Sequence, residues 1–152
     1  MRSIFLVLLT FIGSPSAYAQ AENPNYRKAL ADSLGADDYG MKMYVLVILK
    51  TGENQSLDKK KQDSLFIAHL QNIKRLANDG KLIVAGPMAK NEKNYEGIFV
   101  LDVKTIEEAQ KLLDTDPAIK SKLLGSELYR WYASAAIPMF LPYHDKVKKK
   151  DF

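Results

Sequence analysis

Not one of the 152 residues is a cysteine. No disulfide can brace the fold, no thiolate can serve as a nucleophile, and every cysteine-based zinc site is excluded. Histidine is nearly as scarce: there are two. One of them, His144, stands beside Asp145 in a lysine-rich stretch that reads as solvated. His69 is then the one imidazole available within the body of the chain, and it can carry a proton near neutral pH. Also missing are a glycine-rich phosphate loop, a His-x-x-x-His pair or carboxylate cluster spaced for a metal, and a Gly-x-Ser-x-Gly elbow. No organic cofactor and no metal is therefore expected. The charge is not extreme either, at a formal +4. Four of the bases, Lys146, Lys148, Lys149 and Lys150, crowd the C-terminus. Without interleaved aromatics or an arginine-rich face they read as a solvated tail, so no nucleic-acid partner is expected.

Long hydrophobic runs are lacking as well. The longest near the start, Ile4 to Ile12, is too short to span a bilayer, which takes about 20 residues. It follows Arg2, is broken by Gly13 and Pro15, and precedes the small-residue pattern Ala17-Tyr18-Ala19. Basic start, short apolar stretch and small-x-small site together make a secretory signal peptide over residues 1–19, cleaved after Ala19. The mature protein is expected to be exported, periplasmic or secreted, with no membrane attachment once the signal is removed. No cysteine follows the site, which excludes a lipoprotein anchor.

What is present reads as a leader over 20–40, one domain over 41–140 and a basic tail over 141–152. Met43 to Leu49 is a continuous apolar run between Gly40 and Gly52, the pattern of a strand covered on both faces. From Gln62 the period becomes helical, with Phe66, His69, Leu70, Ile73, Leu76 and Ala77 on one stripe, and Gly80 ends the helix. Leu82 to Ala85 is a second buried strand stopped by Gly86-Pro87, and Ile98 to Val103 a third. Thr105-x-x-Glu108 is a capping box opening a helix to about residue 113. Asp116-Pro117 sets an N-cap and N1 proline for a short helix running to Gly125. Leu128 to Ile137 supplies the last strand, with Tyr129 and Trp131 on one face and Tyr132 on the other. Strand, helix, strand, strand, helix, strand is the split βαβ order, an α+β ferredoxin-like sheet with both helices on one face. About 110 ordered residues leave no spare element for the other face, so a second copy of the chain is its expected cover.

His69, Gly80-Lys81-Leu82, Ala85-Gly86-Pro87, Ala109-Gln110 and Asp116-Pro117, in this order, resemble the YCII-related (YciI-like) family from about Met41 to Ile137. The resemblance implies a ferredoxin-like fold that pairs into a dimeric α/β barrel, similar to muconolactone isomerase. It also implies a His–Asp dyad in a cleft between helices and sheet, here His69 and Asp116. One branch of the family removes chloride from a chlorinated hydroxyquinol. The signal peptide and the extended termini set this chain apart from the compact cytoplasmic members.

Position alone leaves His69 open to two readings: a general base with a carboxylate on its far nitrogen, or a core histidine satisfied by a carbonyl. Asp116 is likewise explained by capping alone, although one oxygen can cap the helix while the other orients an imidazole. Asp79 competes poorly, lying about 15 Å from His69 along the helix axis. The expected function is a cofactor-free His–Asp enzyme of isomerase, lyase or hydrolase type, acting on a small, aromatic or lactone-like molecule. The alternative is a non-catalytic dimeric domain that binds a small ligand or serves a partner.

Overall fold

In the computed structural model, which describes residues 23–150, alternation along the first strand decides the layering. Strand β1 (Met41–Thr51) sends Val45, Val47 and Leu49 to one side, all essentially buried, and Tyr44, Leu46 and Ile48 to the other. A strand that is apolar on both faces belongs in the middle of a sheet. There it pairs antiparallel with β3 (Tyr95–Leu101) on one side and β4 (Leu124–Ser134) on the other. β2 (Leu82–Pro87) pairs antiparallel with β3 and closes the order β2-β3-β1-β4. The register sets Val47 opposite both Phe99 and Leu128, so the three strands share one apolar row.

Two long connections, α2 (Lys59–Asn78) and α3 (Ile106–Leu113), lie against that row. Leu76, Ala109 and Leu113 interlock with Val45, Val47, Leu49, Phe99 and Leu101 to form the main core. This is the ferredoxin-like arrangement, with the antiparallel sheet and its helices disposed as the strand and helix order required. The capping box of α3 is present: the Glu108 amide donates to Thr105 Oγ1 at 3.2 Å, and Glu108 Oε2 accepts from the Thr105 amide at 3.2 Å. Gly80, with φ +66°, takes the left-handed position after α2.

Several expectations need correction. The helix opened by Pro117, α4 (Pro117–Lys120), does not reach Gly125. Lys122 turns at φ +60° and the chain enters β4 at Leu124, so Gly125 is a strand residue and the strand ends at Ser134 rather than Ile137. Phe66 leaves the buried stripe of α2, which is Leu65, His69, Asn72 and Leu76; Phe66 itself is 54% exposed. In the leader, α1 (Lys28–Leu34) forms, and Asp37 accepts from the amides of Tyr39 and Met41 and from the Tyr132 hydroxyl, tying it to the sheet.

The largest departure is at the C-terminus. A 3₁₀ turn (Ile137–Phe140) leads into α5 (Leu141–Val147). Ile137 and Leu141 pack on a second cluster, Tyr44, Ile83, Val100 and Ala133, on the sheet face away from the main helices. The chain therefore does hold an element for part of that face. Phase alone hid it: two prolines within five residues read as a tail, whereas Pro138 and Pro142 sit in the first turns of their helices, where no amide is needed. The proposed signal peptide, residues 1–19, lies outside the described residues.

Candidate active site

The site begins with helical spacing. His69 and Asn72 are three apart on α2, between Leu65 and Leu76 on the stripe that faces the sheet, and both are buried. Across from them the chain leaves α3 and starts α4 with Asp116 as N-cap and Pro117 at N1. Forty-seven residues separate His69 from Asp116, yet His69 Nδ1 lies 2.7 Å from Asp116 Oδ2.

Asp116 has no exposure at all. Its Oδ1 accepts from the amides of Ala118, at 2.9 Å, and Ile119, at 3.4 Å, which is the helix cap. Its Oδ2 accepts from His69 and, at 3.2 Å, from Asn72 Nδ2. A buried carboxylate is tolerable with all its lone pairs engaged in this way. Burial is the largest influence on its pKa and pushes it up. The hydrogen bond and charge of His69, with the Ala118 amide and Asn72, outweigh burial, and the carboxyl is held below its ordinary value.

Asn72 is oriented in turn. Its Oδ1 accepts from Arg75 Nη2 at 2.8 Å, which leaves its amide nitrogen to face Asp116. The same guanidinium reaches Thr115 Oγ1 at 2.7 Å and Asp79 at 3.1 Å. Asp79 is thus a partner of Arg75 and not of the imidazole. Sequence reasoning passed over Asn72, Arg75 and Thr115. The signal for Asn72 was there, a polar residue three positions from His69 on an apolar stripe.

The imidazole ring stacks on Phe99 of β3, with centroids 5.9 Å apart and planes at 19°. Phe66 lies at the same centroid distance, its plane tilted by 36°. Nε2 has no hydrogen bond, yet among the described residues no buried side-chain nitrogen or oxygen lacks a partner. Nε2 therefore keeps some contact with solvent in a residue that is 5% exposed. Nearby is a hollow of about 230 Å³ lined by Thr51, Gln62, Phe66, Glu96 and Leu124 among others. His69 does not line it; Phe66 belongs to both, as hollow wall and ring neighbour. Such an arrangement can accept and return a proton at Nε2 while Asp116 holds Nδ1–H. Among the described residues no group of three or more His, Asp or Glu side chains is gathered for a metal. No helix among them is long and apolar enough to cross a membrane. His144 lines a second hollow, whose lining includes neither His69 nor Asp116.

Comparison with known proteins places residues 43–131 on the family model of the YCII-related domain. No curated protein matches the chain. Among solved structures it is similar to 5-chloro-2-hydroxyhydroquinone dehydrochlorinase from Burkholderia phenoliruptrix AC1100, in complex with 2,5-dihydroxybenzoquinone. The identity is 20% and the TM-score 0.42, over 59% of this chain and 93% of that one.

Proposed function

The chain belongs to the YCII-related domain family, whose model spans residues 43–131 of it, and from that premise we propose a small enzyme that moves a proton through His69 without a cofactor. The observation that carries the proposal is the split character of the ring. Nδ1 is held at 2.7 Å by a fully buried carboxylate, while Nε2 makes no hydrogen bond among the described residues and keeps some contact with solvent. With Nδ1–H donated to Asp116, the neutral ring keeps its lone pair on Nε2. That lone pair takes a proton from a substrate carbon or oxygen, or from an attacking water, and the resulting imidazolium rests against the carboxylate. Returning the proton at a second carbon is isomerisation. Loss of a leaving group with its bonding electron pair is elimination, and delivery of an activated water is hydrolysis. Phe66 and Phe99 both lie against the ring, which favours a small aromatic or lactone-like substrate. Asp116 is a positioning residue in this scheme.

A second reading has one observation in its favour, the 5% exposure of His69. In it the pair is a buried structural contact in a non-catalytic domain that binds a ligand or partner. The test is His69→Gln, assayed against a panel of small phenolic, quinone and lactone acids. A proton-transfer residue contributes roughly 10²–10⁴-fold to rate. The enzyme reading expects folded variant protein with turnover reduced by that factor. A variant that turns over at the parent rate, with about 1–3 kcal/mol lost from stability, overturns it in favour of the second.

Export belongs to the same proposal and rests on the leader from Arg2 to Ala19. Mass spectrometry of protein recovered from its own host should read Gln20 as the first residue; an intact Met1 would defeat this part.

A further inference from the structure

One buried polar side chain touches the dyad without being a member of it. Asn72 is 7% exposed and lies one turn along α2 from His69. Its orientation is fixed from both ends. Arg75 carries only donors, and its Nη2 lies 2.8 Å from Asn72 Oδ1. Ionised Asp116 only accepts, and its Oδ2 lies 3.2 Å from Asn72 Nδ2. Arg75 Nη2 has a second N–H, which reaches Thr115 Oγ1 at 2.7 Å. The one hydroxyl proton of Thr115 goes to the Leu112 carbonyl at 2.6 Å, so its oxygen is there to accept. One guanidinium nitrogen thus ties α2 to the residue just before Asp116. Asp79 holds the other terminal nitrogen at 3.1 Å.

We propose that Asn72 and Arg75 are positioning residues of the His69–Asp116 pair, which keep Asp116 ionised while His69 Nε2 takes up and returns a proton. Asn72 and His69 donate to the same carboxylate oxygen, Oδ2. While the ring is neutral, that oxygen carries a buried charge with no cation against it, and the Asn72 donation counts most. Once Nε2 is protonated, the imidazolium neutralises the oxygen and the donation counts less. Asn72 therefore favours the one-proton form of the pair, the form whose Nε2 lone pair is available. It also opposes passage of the Nδ1 proton onto Oδ2, a step that burial of the pair would otherwise favour. In keeping with this, its bond is among those that hold the carboxyl below its ordinary value. The inference rests on the reading of His69 as a proton carrier and adds what holds the pair in the form that reading needs.

The other charged groups on the elements around α2 are untouched by substitutions at these two positions. α4 brings Lys120, exposed in its last position. Asp63 of α2 and Glu96 of β3 line the hollow that Phe66 borders, held by Lys59 at 3.0 Å and by the Thr51 hydroxyl. Tyr95, also of β3, lies under Lys93. β2 carries no titratable side chain.

Nitrogen NMR of the imidazole across pH, on the full mature chain, reads the midpoint of proton uptake by the pair. Asn72→Leu, close in volume, should raise that midpoint by about one pH unit. Arg75→Met should raise it by roughly half a unit. The Arg75 side chain is 48% exposed, so this variant folds even where a buried leucine disrupts. Added to Asn72→Leu, Arg75→Met should change nothing further, since the guanidinium acts through the amide. A midpoint unmoved or lowered in Arg75→Met, or in folded Asn72→Leu, overturns the proposal. An Arg75→Met shift that persists in full on the Asn72→Leu background overturns the part given to Arg75, leaving a charge that acts through space. The reading of His69 fails separately. If Asn72→Leu moves the NMR midpoint while the acid limb of its pH–rate profile stays in place, the pair is positioned as proposed and His69 is not the proton carrier.

Discussion

Asp116 accepts hydrogen bonds from Ala118 and Ile119 on one oxygen and from His69 and Asn72 on the other. Replacing it by Asn preserves the cap but turns an amide N–H₂ toward two donors. His69 must then present an unprotonated Nδ1, so the proton moves to Nε2. Asp116→Asn is expected to lose about 1–3 kcal/mol of stability, and nitrogen NMR of the imidazole should report the change of tautomer. An unchanged tautomer and unfolding midpoint would show that the contact holds nothing in place. The same carboxyl gives a pH signature. Its folded pKa is lowered from the ordinary 3.8, so its contribution is complete above about pH 4 and fades as pH falls through the folded value. Below about pH 4 the stability of the parent should therefore fall more steeply with acid than that of Asp116→Asn. Both residues of the pair were legible as residue types in the sequence, and Asp116 even as a carboxylate with two tasks. Asn72 was legible only as a polar residue three positions from His69 and Arg75 not at all, because what makes them part of the site is the partner each meets.

Elements that announce themselves by caps formed where the sequence put them: Thr105 with Glu108 opens α3, and Asp116 with Pro117 opens α4. Elements bounded by a close approach did not. Between β1 and α2 the chain passes so near the Lys122 turn that a Cβ on Gly52 would sit 2.0 Å from the Lys122 carbonyl oxygen. Gly52 also donates to the Leu123 carbonyl at 3.0 Å. Gly52→Ala is expected to cost about 1–3 kcal/mol through this overpacking, read from urea unfolding. It should also disturb the hollow lined by Thr51 and Leu123. An unaltered midpoint would mean that the two loops yield freely. The short α4 and early β4 have the same origin: Lys122 reverses the chain at φ +60°, a conformation that no residue type there foretold.

At the scale of the molecule, the sheet face away from α2 and α3 is partly covered by Ile137 and Leu141. The remainder carries Tyr129 at 51% and Trp131 at 38% exposure, with Trp131 beside Tyr44. We propose that a second copy of the chain covers this part. The mature protein is expected to scatter light as a dimer at tens of micromolar, and Trp131→Arg, which puts a charge at the centre of the patch, should shift it to monomer. A parent that stays monomeric at that concentration refutes the assembly.

The ferredoxin-like order, the central place of β1 and the caps followed from the sequence alone, because hydrophobic period and cap chemistry act over a few residues. The choice of His69 and Asp116 as a pair came from the family resemblance, since position alone left each open to a purely structural reading. Their meeting was decided by tertiary structure, since it takes the packing of α2 against α4 to bring together residues 47 apart. Tertiary structure also decided the exposure of Phe66, the orientation of Asn72 by Arg75 and the docking of Ile137 and Leu141. Each of these depends on what lies across a gap from the residue, and a sequence records neighbours along the chain but not across it.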